Sequence, residues 1–313
     1  MNEIISAIFN LNTFSAALRL ATPIALAAMG GAFSERAGVI NIGLEGMILI
    51  GAFSAAFASF FSGSAWIGVL AAILAGGLLG LLLALFTIKL KADHVVAGVG
   101  LNIFALGLTS WLMQVVWGSK GSSSSVRALK EISIPILRDI PILGRILGKQ
   151  SPLVYIMLFL IILGWYLLFK TPLGLRIRMT GEHPEAADTL GIKVNKIKYF
   201  AVVLSGMLSG LGGAYLSISN LNFFSNNMSA GRGYMALAAN IFGQWNPLGG
   251  FAASLLFSFT DAIQMRLQVL NLNIANELIQ LLPYLLTVII LAGAVMKSRP
   301  PAALGKHYEP GDK

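Results

Sequence analysis

The chain contains no cysteine, which excludes disulfides, thiol catalysis and cysteine metal sites. Imidazole is nearly as scarce: His94, His183 and His307 are its only sources and stand far apart in sequence. Charge is thin as well. Of 313 residues only 11% are Asp, Glu, Lys or Arg, against 56% hydrophobic, with mean hydropathy +0.78. A water-soluble protein of this length needs far more polar surface to cover its core. Motifs for hydrolysis are missing too. No G-x-x-x-x-G-K-[ST] occurs, GSKGSSSS has neither its spacing nor a preceding strand, and H-E-x-x-H and G-x-S-x-G are absent. The opening MNEIISAIFN carries an acid and no basic region, so no cleavable signal is evident.

What is present is a succession of apolar runs of eighteen or more residues, the length that crosses hydrocarbon as a helix. The expected class is a polytopic, all-α transmembrane bundle forming a single domain over residues 1–313. Spans are expected near 14–33, 40–61, 66–88, 94–117, 152–170, 198–219, 247–268 and 275–296. A shorter apolar piece, Tyr234–Gly243, reaches only about 15 Å at 1.5 Å per residue. It is either a half-helix or the visible part of a broken crossing.

The net charge of +9 sits between apolar runs rather than in one basic tract, which points to anionic lipid and not to nucleic acid. Two polar segments, Gly118–Ser151 and Lys170–Lys198, are separated by one span and so belong on opposite sides of the membrane. The first contains PILRDIPILGRILG, expected as a short helix or hairpin. Each segment carries six Lys or Arg, but Lys89 and Lys91 join the second and Glu131 and Asp139 offset the first. The positive-inside bias therefore makes 170–198 cytoplasmic and 118–151 external. The basic, proline-broken tail 297–313 is expected to be cytoplasmic too, which requires nine crossings; eight plus a half-helix is the alternative.

Small residues recur four apart at Ala72, Gly76, Gly80 and Ala84, and at Ser205, Ser209 and Gly213, a stripe that permits close helix packing. ALAAMGGAFSERAG (25–38) and ALAANIFGQWNPLG (236–249) echo one another, as two related halves with interrupted helices would. The stretch SERAGVINIGLEGM (34–47) places charge between two apolar runs. It reads as a break between helices, with Glu35 and Arg36 compensating one another. If the helix restarts by Val39, Asn41 and Glu45 share a face, with Asn41 facing solute and Glu45 structural. Arg266 and Glu277 are expected at interfaces, and Arg19 and Asp261 beside polar groups of the bundle.

TGEHPEAADTLGIKVNKIKY is the most informative segment. Pro184 suits a first helical turn, Glu182 and Glu185 suit its positive end, and Gly191 can terminate it. A two-turn helix between spans is the right size to dock in a groove of a soluble protein; an amphipathic turn at the interface is the other reading.

GEHPEAADTLGI resembles the coupling loop G-E-N-P-x-A-A-x-x-x-G-I of ABC importer permeases of the branched-chain amino acid, ribose and simple-sugar type. ERAGVINIGLEGM resembles the signature of the subset grouped with nucleoside and simple-sugar uptake, which works with basic-membrane-protein-type lipoproteins. GRGYMALAANIFGQWNPLGG resembles their second-half motif. The likeness runs from about Ala21 to Met296, and His183 departs from the commoner Asn. It implies a non-enzymatic transport subunit of the bacterial cell membrane, paired with a second, non-identical permease. A cytoplasmic ATPase would bind ATP and magnesium, this chain would bind no cofactor, and an external lipoprotein would deliver the solute. Gly181, Glu182, Pro184, Glu185, Ala186, Ala187 and Gly191 would form the coupling helix, with Ala186 and Ala187 small enough for a groove. Nucleosides are the leading substrate class and simple sugars the alternative. Aromatic and amide groups near the breaks, namely Asn41, Phe223, Phe224, Asn226, Asn227, Gln244 and Trp245, are the candidate path residues. A gradient-driven carrier would show the same breaks and repeats without a docking helix, and an intramembrane enzyme lacks its catalytic groups.

Overall fold

A computed structural model describes residues 10–134, 143–269 and 299–309, with residues 281 and 285. Helix α1 (Leu11–Arg36) starts at Asn10, whose side chain accepts the Asn12 N–H. Helices α2 (Leu44–Ser62) and α3 (Ala65–Ala84) follow, α3 running on through a π turn at Leu85–Lys89. Asp93 caps α4 (His94–Trp117) by accepting the N–H groups of Val95 and Val96, both at 2.9 Å. Beyond it, β1 (Ile132–Ser133) pairs antiparallel with β2 (Lys149–Gln150), flanking the short α5 (Leu143–Leu147). Proline opens α6 (Pro152–Lys170), α7 (Pro172–Glu182) and α8 (Pro184–Thr189), where its missing N–H costs nothing. Helix α9 (Val194–Tyr215) continues through a π turn at Leu216–Asn220; α10 (Arg232–Phe242) and α11 (Pro247–Val269) complete the described helices.

Six of these are long and apolar enough to cross a membrane: 11–36, 44–62, 65–89, 94–117, 152–170 and 194–220. The chain is therefore a mostly helical, multi-pass membrane protein. The span expected at 275–296, with Glu277, lies outside the described residues, as do 135–142 of the PILRDIPILGRILG segment. The apolar piece near 234–243 is a separate 11-residue helix, α10, flanked by breaks on both sides.

Helices α1 and α9 occupy the centre and are buried over most of their length. The small-residue stripes explain how. A Cβ on Gly76 would stand 2.3 Å from the Gly206 carbonyl oxygen, and one on Gly210 would stand 2.3 Å from that of Ala72. Helices α3 and α9 therefore meet backbone to backbone through Gly206 and Gly210, whereas the Ser205–Ser209–Gly213 stripe faces α1 and α2, a Cβ on Gly30 standing 2.7 Å from the Ser205 carbonyl oxygen; both serve packing inside the bundle. At the end of the bundle away from α7, segment 118–134 lies over the α2–α9 junction. Ser123 N–H donates to the Phe224 carbonyl at 2.8 Å, and Leu129 N–H to that of Ile218 at 2.8 Å.

Candidate functional site

The stretch 34–47 is where the bundle breaks. Helix α1 stops at Arg36 because the Ser34 hydroxyl donates to the Val39 carbonyl at 2.7 Å and Gly38 takes φ +89°, turning the chain back. The helix restarts at Leu44, not by Val39, so Asn41 lies in the linker and does not share a helical face with Glu45. Glu35 and Arg36 do not compensate one another either. The buried Glu35 carboxylate accepts from Asn240 Nδ2 at 2.9 Å and from Trp245 Nε1. Arg36 donates from Nε to the Trp245 carbonyl at 3.0 Å and from Nη2 to the Gln244 carbonyl at 2.9 Å. Glu45, at the start of α2, accepts from Gly231 N–H at 2.8 Å and Gly233 N–H at 2.6 Å. The stretch thus grips α10 at both ends. A carboxylate meets its N-terminal donors and a guanidinium meets the carbonyls just past its C-terminus, each matching the helix dipole.

The echoing segments 25–38 and 236–249 come together here, and a Cβ on Gly31 would stand 3.4 Å from Asn240. Gly233 admits the contact: a Cβ there would lie 2.3 Å from Glu45 N.

Beside the Glu45 grip, at the N-terminal end of α10, lies a cavity of about 240 Å³, lined by Glu45, Asn102, Ile103, Leu106, Asn227 and Tyr234 among others. Asn102 is fully engaged, accepting from Gly46 N–H at 2.8 Å and donating to the Ile42 carbonyl at 3.0 Å and the Tyr234 hydroxyl at 3.2 Å. Of the residues expected along a solute path, only Asn227 lines this cavity. Asn41 is wholly buried, donating to Ser205 Oγ at 2.8 Å while its Oδ1 has no partner. Phe224 is also wholly buried, edge-on to Phe53 at 5.4 Å, and is a packing residue. Phe223 is half-buried, and the exposed Asn226 accepts from the Ser110 hydroxyl at 2.9 Å. Gln244 and Trp245 lie at the other end of α10, in the turn held by Glu35 and Arg36. Glu45, Asn102 and Tyr234 are the cavity groups that sequence reasoning missed. The available signal was a glutamate with no local partner, upstream of a glycine-flanked helix start that lacks its own acid.

The loop 170–198 folds as α7, the His183 break and α8, with Gly191 at φ +78° ending α8. Glu185, Ala186, Asp188, Thr189 and Leu190 are exposed, Leu190 at 69%. Pro184 and Ala187 point inward, so Ala187 fills the bundle side and Ala186 alone offers a small outer contact. Gly181 abuts the break itself: a Cβ there would lie 2.2 Å from the Arg36 carbonyl oxygen. Glu182 stands 3.9 Å from the Arg36 guanidinium and accepts the Ala302 N–H at 3.1 Å. The tail runs back along the same surface, Ala303 N–H donating to the Gly181 carbonyl at 2.9 Å and Gly305 N–H to that of Gly38 at 3.0 Å. Asp261 lies near enough to Arg232 for their charges to interact, and Arg19 is exposed.

Comparison with known proteins adds lineage to this geometry. Residues 13–291 match the family model described as branched-chain amino acid transport system / permease component. The chain is 40% identical over 308 residues to the guanosine ABC transporter permease protein NupQ of Bacillus subtilis (strain 168), covering 95% of this chain and 96% of that protein. It is 40% identical over 296 residues to the nucleoside ABC transporter permease protein NupC of Lactococcus lactis subsp. cremoris (strain MG1363), covering 92% and 93%. A second B. subtilis guanosine ABC transporter permease protein, NupP, is 25% identical over 247 residues, covering 76% and 70%.

Proposed function

Because the chain belongs to the family of branched-chain amino acid transport system permease components, we propose that it is one membrane subunit of an ATP-driven importer of nucleosides. The observation that carries this reading is a continuous mechanical path. Exposed Glu185, Ala186 and Leu190 form a docking face; Gly181 and Glu182 lie against Arg36; and the stretch from Glu35 to Glu45 holds α10 beside a cavity that carries Glu45, Asn102 and Asn227 on a largely apolar wall. Closure of a soluble ATPase against α8 would push the α7–α8 elbow on the helix break, and the break would carry α10 with it. A gradient-driven carrier has no use for such an elbow.

In this reading 170–198 and the tail face the cytoplasm and 118–151 faces outward, with nine crossings and two related halves. ATP and magnesium belong to the partner ATPase, and a solute-binding lipoprotein delivers the nucleoside from outside. The unequal likeness to NupQ and NupP, 40% against 25%, supports pairing with a second, different permease. The deciding experiment is uptake of labelled nucleosides into ATP-loaded vesicles holding the whole complex, with simple sugars as competitors. Uptake that needs ATP and the lipoprotein, and that excess ribose leaves unchanged, is expected. Uptake without ATP, or complete suppression by free sugar, overturns the reading.

A further inference from the structure

Resting on the nucleoside reading, we propose that the cavity beside α10 is the permease's own nucleoside subsite, in which Tyr234 stacks on the base and Glu45 receives the ribose hydroxyls. Its depth is the first argument. Asn102 and Leu106 lie about 12 and 18 Å along α4 from His94 at 1.5 Å per residue, so the cavity sits midway along a helix of 24 residues. A carboxylate at that height marks a solute path.

Chemistry is the second. Each Glu45 oxygen accepts one backbone N–H, which fixes its position and leaves a further lone pair on each for a donor. Ribose hydroxyls are such donors, and an acidic side chain is the usual reader of a ribose diol. Tyr234 is 49% exposed. Its hydroxyl takes the Asn102 amide, which holds the ring in place as a stacking surface. Asn227, at φ +54° on the cavity rim, brings an amide able to meet a base edge. A phosphorylated nucleotide would set its own negative charge against Glu45, so the cavity selects nucleosides over nucleotides. At about 240 Å³ it is slightly smaller than the ~300 Å³ at which small-molecule sites begin, so it encloses part of a nucleoside rather than all of it.

The test uses the full reconstituted complex with its lipoprotein and ATPase. During turnover, 8-azidoadenosine is photoactivated and the labelled peptides are mapped. Beside label on the lipoprotein, label on residues 102–106 or 227–234 of this chain, removed by excess adenosine, is expected; its absence from these residues overturns the proposal. Tyr234→Leu should slow adenosine uptake about threefold to tenfold, the range aromatic stacking provides, whereas Tyr234→Phe should stay within about twofold. Equal uptake by wild type and Tyr234→Leu, or equal loss in both variants, refutes the stacking role. Should wild type itself take up no nucleoside, the underlying importer reading fails and the subsite falls with it. Intact wild-type uptake with no label on these residues sinks the subsite alone.

Discussion

Gly181→Ala tests the joint between α7 and the helix break. The added methyl carbon would stand 2.2 Å from the Arg36 carbonyl oxygen, 2.9 Å from Arg36 C and 3.0 Å from Gly38 N. Ordinary contact begins at 3.4 Å, so α7 and the break must separate by about 1 Å, and backbone cannot rotate away as a long side chain does. Overpacking of this kind costs about 1–3 kcal/mol. At roughly 2 °C per kcal/mol for a large domain, the unfolding midpoint should fall by about 2–6 °C. The sharper readout is coupling. A joint opened by 1 Å should transmit less of each ATPase closure, so ATP hydrolysed per nucleoside imported should rise severalfold. Gly100→Ala on α4 is the control, since a Cβ there meets nothing within 4 Å and alanine favours the helix; it should leave both quantities unchanged or raise stability slightly. A Gly181→Ala complex with wild-type melting and wild-type stoichiometry would refute the reasoning.

Replacing Glu185 and Ala186 by arginine should abolish ATP-dependent uptake while the protein still inserts, because α8 exposes both side chains; unchanged vesicle uptake would remove the docking role. Glu45→Gln keeps one acceptor but sets an amide N–H against the N–H of Gly231 or Gly233, and should cost about 1–3 kcal/mol in stability. Glu45→Ala should cost more, and melting of both variants at the wild-type temperature would show that the cap carries no weight. Truncation after residue 298 removes the tail bonds to Gly181, Gly38 and Glu182. It should speed hydrogen exchange at 180–183, and unchanged protection there would mean that the tail is not a brace.

Much of this was legible locally. The span expected at 94–117 is helix α4 residue for residue, because its Asp93 cap and Gly118 terminator are both in the chain. The α8 start at Pro184 and its end at Gly191 follow from the same local chemistry. What could not be read depends on partners far along the chain. The restart at Leu44, and hence the place of Asn41, is set by contacts with Ser205 and with Gly231 and Gly233 nearly two hundred residues away. Phe224 looks like a loop aromatic in sequence. It is buried because Ser123 bonds its backbone from both sides, and no periodicity announces that pairing.

The two glutamates of SERAGVINIGLEGM therefore share one task. Glu35 holds the C-terminal end of α10 through Asn240 and Trp245, and Glu45 holds its N-terminal end through two backbone donors. Both grips depend on distance and direction: a slide of one helical turn, about 5.4 Å, would break all four bonds at once and leave two carboxylates without donors inside the bundle. That cost is far larger than the cost of moving the helix and its grips together. Helix α10 and the ends of α1 and α2 must then travel as one body. In the importer reading the linker 37–43, which joins the two grips, travels inside that body, and the relative motion falls on its contacts with neighbouring elements, among them the glycine contact at Gly181, where the α7–α8 elbow meets the break.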